Sequence, residues 1–341
     1  MTTYNRASLL QQAITSIQRQ TLQDWELVIV DDASHDNTPQ LLERLEKQDG
    51  RLRVYRHKEN KGPATARNTG VRHAQGRYIA LHDDDDISLS QRLQTQADVL
   101  DAQPHIDMVV PALQCMTRDT PISTILKTDF VSSPTSPPSL VTLADMPFPF
   151  PALMGRQELF HKIPMRPFFA FAEDYDFVLR CIRYYHIETI DDVLYYYRIA
   201  DDKRHTMSTS SHTLYQQWIY QYLSWASACH HHYGWEDPID HSKTIEEARQ
   251  KIHPQFAHKA QQGIKKLVKG FLHNMIKRQT PQEFRHNLTK VLHVIQDKKY
   301  FFSISHKIIF QCLLKGHRLH LSSFLHFLLL TNKAHDTSRL S

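Results

Sequence analysis

The chain has 341 residues, of which 41% are hydrophobic, 23% charged and 10% aromatic, with a formal net charge of +5. This is globular composition, and it excludes a collagen-like, disordered or bilayer-embedded chain. Four dispersed cysteines, Cys115, Cys181, Cys229 and Cys312, make no Cys-x-x-Cys pair, which excludes a disulfide scaffold and an all-cysteine zinc site and points to a reducing compartment.

The N-terminal half alternates in a regular rhythm. Ala7–Gln20 places Leu9, Leu10, Ala13, Ile14 and Ile17 on one helical face. Trp25–Val30 reads as a buried parallel strand that runs into Asp31-Asp32. A helix over Thr38–Gln48 and a strand over Leu52–His57 follow, then a helix over Pro63–Gln75 with proline in its first turn. Arg77–His82 is a strand that ends in Asp83-Asp84-Asp85-Asp86; Ser88–Ala102 is a helix and Asp107–Leu113 a strand. Alternating strands and helices predict a doubly wound, mainly parallel α/β sheet. Prolines then crowd residues 121–151, and Ser132–Ser139 reads as a loop. Glu173–Tyr185 is helical and Glu188–Ile199 strand-rich, whereas helical patterns dominate from about residue 212. This predicts an α/β domain over residues 1–205 and a basic, His-rich helical appendage over 206–341.

Charge divides the chain at the same place. Residues 1–205 hold 23 basic and 28 acidic side chains, a balance of −5; residues 206–341 hold 18 and 8, a balance of +10. The basic part is either a set of solvated helix faces or a surface for an anionic partner such as a membrane. No nucleic-acid motif accompanies the charge, so no nucleic-acid partner is expected. No signal peptide is visible at the N-terminus, and Phe324–Leu330 falls far short of the ~20 apolar residues that span a bilayer.

The chemistry-bearing residues collect at strand ends, where ligands of open α/β sheets bind. Asp83–Asp86 are adjacent carboxylates that repel one another, and a divalent cation would relieve that cost; oxygen-only donors favour Mg²⁺ or Mn²⁺ over zinc. Without a cation the run is a solvated acidic turn. Glu173-Asp174-Tyr-Asp176 opens a helix, as capping acids or as a source of a general base. Lys61 and Arg67, in the segment Asn60–Gly70, are candidates to face a phosphate or base. No Walker motif and no Gly-x-Gly-x-x-Gly occurs, which removes the P-loop and dinucleotide-binding readings.

Taken in order, Thr3-Tyr4-Asn5-Arg6, Val30–Thr38, Asn60 to Asn68, Tyr78–Asp86 and Glu173–Asp176 resemble the family 2 glycosyltransferases, inverting enzymes of GT-A fold. The resemblance implies that Thr3, Tyr4 and Asp32 hold a nucleotide base and that Arg67 lies beside the nucleotide. It implies that Asp83 contacts ribose or metal, that Asp85 ligates Mn²⁺ or Mg²⁺, and that Asp174 is the base. His205 is a weaker candidate metal ligand or a plain loop histidine. The partners implied are a nucleotide-sugar donor, most simply a UDP-sugar, and a glycan or lipid-linked acceptor in bacterial envelope synthesis. The location implied is cytoplasmic, with the inner membrane face as a peripheral site. The Gln-x-x-Arg-Trp motif of processive synthases is missing, so a single-sugar transfer is expected. A metal-dependent nucleotidyltransferase and an inactive, shortened homologue are the alternatives. Relatives place an apolar first strand ahead of the Thr-Tyr-Asn loop; here only Met1-Thr2 precede it, and unpaired neighbouring strands are the expected consequence.

Overall fold

A computed structural model describes residues 1–117, 119–127, 150–199, 211–253 and 255. The chain divides into two compact units, the first comprising Met1–Ser139 and Met146–Asp201.

The first unit begins with β1 (Thr2–Thr3), α1 (Ala7–Gln18), β2 (Leu27–Asp31), α2 (Thr38–Gln48), β3 (Leu52–Arg56) and α3 (Pro63–His73). Leu10, Ile14 and Ile17 of α1 pack with Leu27 and Ile29 of β2, Leu42 and Leu45 of α2, and Leu52 of β3. All five residues of β2 are buried, as expected of a strand covered on both faces. β1, β2 and β3 form a parallel sheet, with Thr2 opposite Val30 and Leu27 opposite Leu52. The first strand is therefore present as a two-residue piece.

β4 (Tyr78–Ala80), β5 (Ile87–Ser88), α4 (Arg92–Ala102), β6 (Met108–Thr117) and β7 (Thr120–Leu126) follow. After them come β8 (Met154–Arg156), α5 (Gln157–Lys162), α6 (Glu173–Cys181) and β9 (Ile187–Arg198). They make a second sheet in the order β4-β8-β6-β9-β5, with β7 paired to β6. β6 and β9 are parallel, whereas β4–β8, β6–β8, β6–β7 and β5–β9 are antiparallel. The parallel pairing expected from the sequence thus holds in the first half, where helices cross over between strands, and gives way to mixed pairing in the second. Strands β5, β7 and β8 and helix α5 are too short, or too near the proline-rich stretch, to show a period in the sequence.

Close packing fixes this second sheet. A Cβ at Gly155 of β8 would lie 2.9 Å from Met108 Cγ, so only glycine fits against β6. Arg92 is fully buried. Its guanidinium donates to Gln96 Oε1 at 2.9 Å, Ser88 Oγ at 2.9 Å and the Leu81 carbonyl at 2.7 Å. These bonds tie α4 to the chain that emerges from β4.

In the second unit, α7 (Ser211–Tyr233) and α8 (Ile245–Gln250) are described. His230 is buried with Nδ1 2.6 Å from the Glu236 carbonyl, and His231 Nε2 lies 3.0 Å from Asp237, so His230-His-His232 contributes at least two side chains to local packing. Among the described residues, no helix is long and apolar enough to cross a membrane. The basic segments expected at Phe256–Lys277 and beyond lie outside the described residues.

Candidate active site

The ends of β1 and β2 meet in one corner. Asp32 N donates to the Thr3 carbonyl at 3.0 Å. The Asp32 carboxylate accepts from Lys61 N at 2.9 Å and Gly62 N at 2.8 Å, and His57 Nδ1 lies 2.6 Å from it. Gly62 sits at φ 80°, a left-handed conformation suited to glycine, which turns its N–H toward Asp32 before Pro63 opens α3. Lys61 contributes its backbone N–H here, and its side chain is exposed. Thr3 is buried, whereas Tyr4 is 43% exposed beside Asn5, a residue at φ 54°. Asn5 Oδ1 accepts from His35 N at 2.8 Å, which fastens the loop after β1 to the loop after β2.

The acidic turn lies next to this corner. Thr2 and Asp83 form a parallel bridge. Asp83, Asp85 and Asp86 each offer one carboxylate oxygen, and these lie within 4.8 Å of one another. That donor set is all hard oxygen, the chemistry Mg²⁺ or Mn²⁺ takes. The turn is held from behind: Arg198 N donates to Asp86 Oδ1 at 2.8 Å, and Arg198 Nε to the Asp85 carbonyl at 2.7 Å. Arg6 contacts Asp85 directly and lies 3.5 Å from Asp84. Burial pushes Asp84 up to about 7 against the pull of Arg6. Burial, then the neighbouring Asp85, raises Asp86.

Arg67 of α3 joins the acidic turn to α6. It contacts Glu173 and donates to Asp83 Oδ1 at 3.2 Å. Burial works against its charge, but Asp83, Glu173 and Asp174 outweigh it and hold the guanidinium protonated. Glu173 and Asp174 open α6 just after Ala172, which stands at φ 60°. Burial lifts Glu173 to about 7 although Arg67 opposes it, and burial also raises Asp174. Asp176 plays a separate part, clamped by Arg166 and by Arg180 at 3.0 Å.

Of the residues singled out in the sequence, Thr3, Asp32, Arg67, Asp83, Asp85 and Asp174 take part in these interactions, and Tyr4 stands exposed next to Thr3. His205 lies outside the described residues. Sequence reasoning does not single out His57 and Arg198 and gives Arg6 and Glu173 no role of their own, whereas Asp86 belongs to the acidic run it reads as a cation site. Arg6, Asp86 and Glu173 sat inside motifs already recognised, and Arg198 closes the Tyr196-Tyr197 run. His57 has no signal beyond its place at a strand end.

A parallel β1–β3 half with its carboxylates at the strand ends, joined to a mixed second half, is a GT-A type fold. The likeness to solved structures agrees: S. aureus TarS 1-349 in complex with UDP aligns with a TM-score of 0.50 over 86% of this chain and 87% of that chain, at 17% identity. Residues 1–167, just under half of the chain, match the family model described as Glycosyl transferase family 2. The chain is 38% identical over 100 residues to UDP-Glc:alpha-D-GlcNAc-diphosphoundecaprenol beta-1,3-glucosyltransferase WfgD of Escherichia coli, covering 29% of this chain and 39% of that protein. It is 39% identical over 94 residues to GalNAc(5)-diNAcBac-PP-undecaprenol beta-1,3-glucosyltransferase of Campylobacter jejuni, covering 27% of this chain and 30% of that one. The matched segment spans well under half the length of either relative.

Proposed function

We propose that the protein is an inverting, non-processive glycosyltransferase that moves a sugar from a nucleoside diphosphate donor to a hydroxyl group. The supporting observation is the junction at Arg67, which brings the three-carboxylate turn and the Glu173-Asp174 pair to one edge. The names of the relatives support a lipid-linked acceptor in envelope glycan synthesis and a UDP-sugar donor.

The roles follow from chemistry. Thr3, Tyr4 and Asp32 form the corner for the nucleotide base. Asp83, Asp85 and Asp86 would hold a divalent cation, which when bound neutralises charge on the departing diphosphate. Arg67 keeps a fixed positive charge beside the same region. Asp174 accepts the proton of the acceptor hydroxyl as that oxygen attacks the anomeric carbon. One displacement opposite the diphosphate inverts the configuration, so one base suffices. The raised proton affinity of Asp174 makes it a stronger acceptor than a solvated carboxylate.

Titration calorimetry of the 341-residue chain with UDP, with and without Mn²⁺, tests the donor site. Binding that needs Mn²⁺ and is lost in Asp85→Ala is the expected result. UDP released from a UDP-sugar, rather than pyrophosphate from a nucleoside triphosphate, separates glycosyl from nucleotidyl transfer. A folded chain that binds no nucleotide with Mn²⁺ present overturns the reading.

A further inference from the structure

Helix α6 carries Asp174, yet the segment that leads into it, from Ile163 to Ala172, is neither helix nor strand. Side-chain ties set its course instead. The Asn68 side chain, on α3, meets the Met165 peptide 97 residues away. Asn68 Nδ2 donates to the Met165 carbonyl at 2.7 Å, and Met165 N donates to Asn68 Oδ1 at 2.9 Å. A primary amide offers one donor and one acceptor side by side, which matches a peptide edge. Met165 is 2% exposed, so an unmet donor or acceptor there is costly. The residues on either side of Met165 are fastened to α6. The Pro164 carbonyl accepts from Arg180 Nη2 at 2.8 Å, and Arg166 Nε donates to Asp176 Oδ2 at 3.1 Å. Three consecutive residues are thus tied to α6 at both ends and to α3 in the middle.

We propose that Asn68 is a positioning residue for the general base: its amide fixes where α6 begins and so holds Asp174 beside Arg67 and the acidic turn. This rests on the reading of Asp174 as that base. The backbone at the start of α6 shows that it needs holding. Ala172 stands at φ 60°, a left-handed conformation that a Cβ disfavours and that persists only where neighbouring contacts impose it. The residue next to Asn68 shows why a neutral tie matters. Arg67 contacts Glu173 in the first turn of α6, but the same guanidinium also serves Asp83. A diphosphate entering beside the acidic turn competes for that guanidinium and loosens its grip on Glu173. The two Asn68 bonds carry no charge and end on a peptide, so they keep α6 in place whichever partner Arg67 takes. Consecutive residues of α3 therefore divide the work, Arg67 in charge balance and Asn68 in placement.

The test compares the 341-residue protein with Asn68→Ala, Asn68→Asp and Met165→Ala. Met165→Ala deletes a buried side chain but keeps the peptide that Asn68 binds, so it lowers Tm without undoing the tie. At a temperature where all four chains are folded, UDP affinity with Mn²⁺, kcat and KM for UDP release from UDP-glucose, and amide hydrogen exchange are measured. Both Asn68 variants lower kcat by about 10- to 100-fold, the scale of a misplacement near 1 Å, while UDP affinity and KM stay within about threefold. In both, exchange at Asp176 N–H, which donates to the Ala172 carbonyl at 3.0 Å, speeds up by at least about tenfold relative to Ile29 N–H in β2. Met165→Ala changes neither readout. The proposal is overturned if the Asn68 variants keep their kcat, if Met165→Ala loses as much, or if UDP affinity falls in step with kcat. A wild-type chain that binds no UDP fails the functional reading, and one that binds UDP but spares UDP-glucose takes another sugar. In either case exchange decides alone: Asp176 keeping pace with Ile29 in the Asn68 variants overturns the proposal, and Asp176 outrunning it supports it.

Discussion

Arg67 is the group whose removal the structure makes most informative. It is 15% exposed at its side chain and stands between Glu173 and Asp83. At an effective dielectric of about 20, a charge pair at 3.2 Å is worth roughly 5 kcal/mol before desolvation is counted. Loss of one partner from a buried pair costs about 3–5 kcal/mol in practice, because the stranded charge remains. For Arg67→Gln the stranded charges are Asp83, Glu173 and Asp174. Glu173 has a folded pKa raised to about 7, so below that pH it holds a proton and loses little when Arg67 leaves. Above it, Glu173 is ionised and the full cost falls on the folded state. Arg67→Gln should therefore destabilise the protein by about 4 kcal/mol at pH 8.5 and by about half that at pH 5.5. Urea unfolding of both proteins at the two pH values gives the difference directly, and effects common to both chains cancel. A loss of equal size at the two pH values would refute the assignment of Glu173 as the partner whose charge matters.

Three further outcomes follow from contacts elsewhere. Arg6 already occupies Asp85 and approaches Asp84, so Arg6→Gln removes a competing cation and should tighten Mn²⁺ binding by about 3- to 10-fold in an electron paramagnetic resonance titration; unchanged or weaker binding would refute the competition. Gly155→Ala forces a Cβ to within 2.9 Å of Met108 Cγ and 3.2 Å of the Asp107 carbonyl, and should cost about 1–3 kcal/mol in denaturant unfolding. Arg92→Met leaves the Leu81 carbonyl, Gln96 and Ser88 without their buried donor, and should cost about 3 kcal/mol, visible as a lowered Tm; a change under about 1 kcal/mol would mean that water replaces the guanidinium.

What the sequence makes legible is whatever repeats with a period or closes a strand. Helix α2 spans the residues its pattern predicts, Thr38–Gln48, because Leu42 and Leu45 mark its inner face and Pro39 its first turn. Asp32 and Asp83 stand out because acids break an apolar run at the place where a strand must end. Partnerships across long separations leave no such mark. Arg67 meets Glu173 106 residues away, and Arg198 holds an acid 112 residues before it. No local spacing reports either contact, and both depend on how β9 and α6 return to the first half of the sheet. The same argument explains why Glu173-Asp174-x-Asp176 divides in two. On the helix surface Asp176 lies beside Arg180 four positions on, and Arg166 comes from the preceding loop, so its charge is consumed locally. Glu173 and Asp174, at the open first turn, have no such local cation. Their nearest positive charge is Arg67, which is shared with the acidic turn. One acid of this motif thus makes a structural ion pair while the other two lie against Arg67, a division set by where the arginines fall in three dimensions.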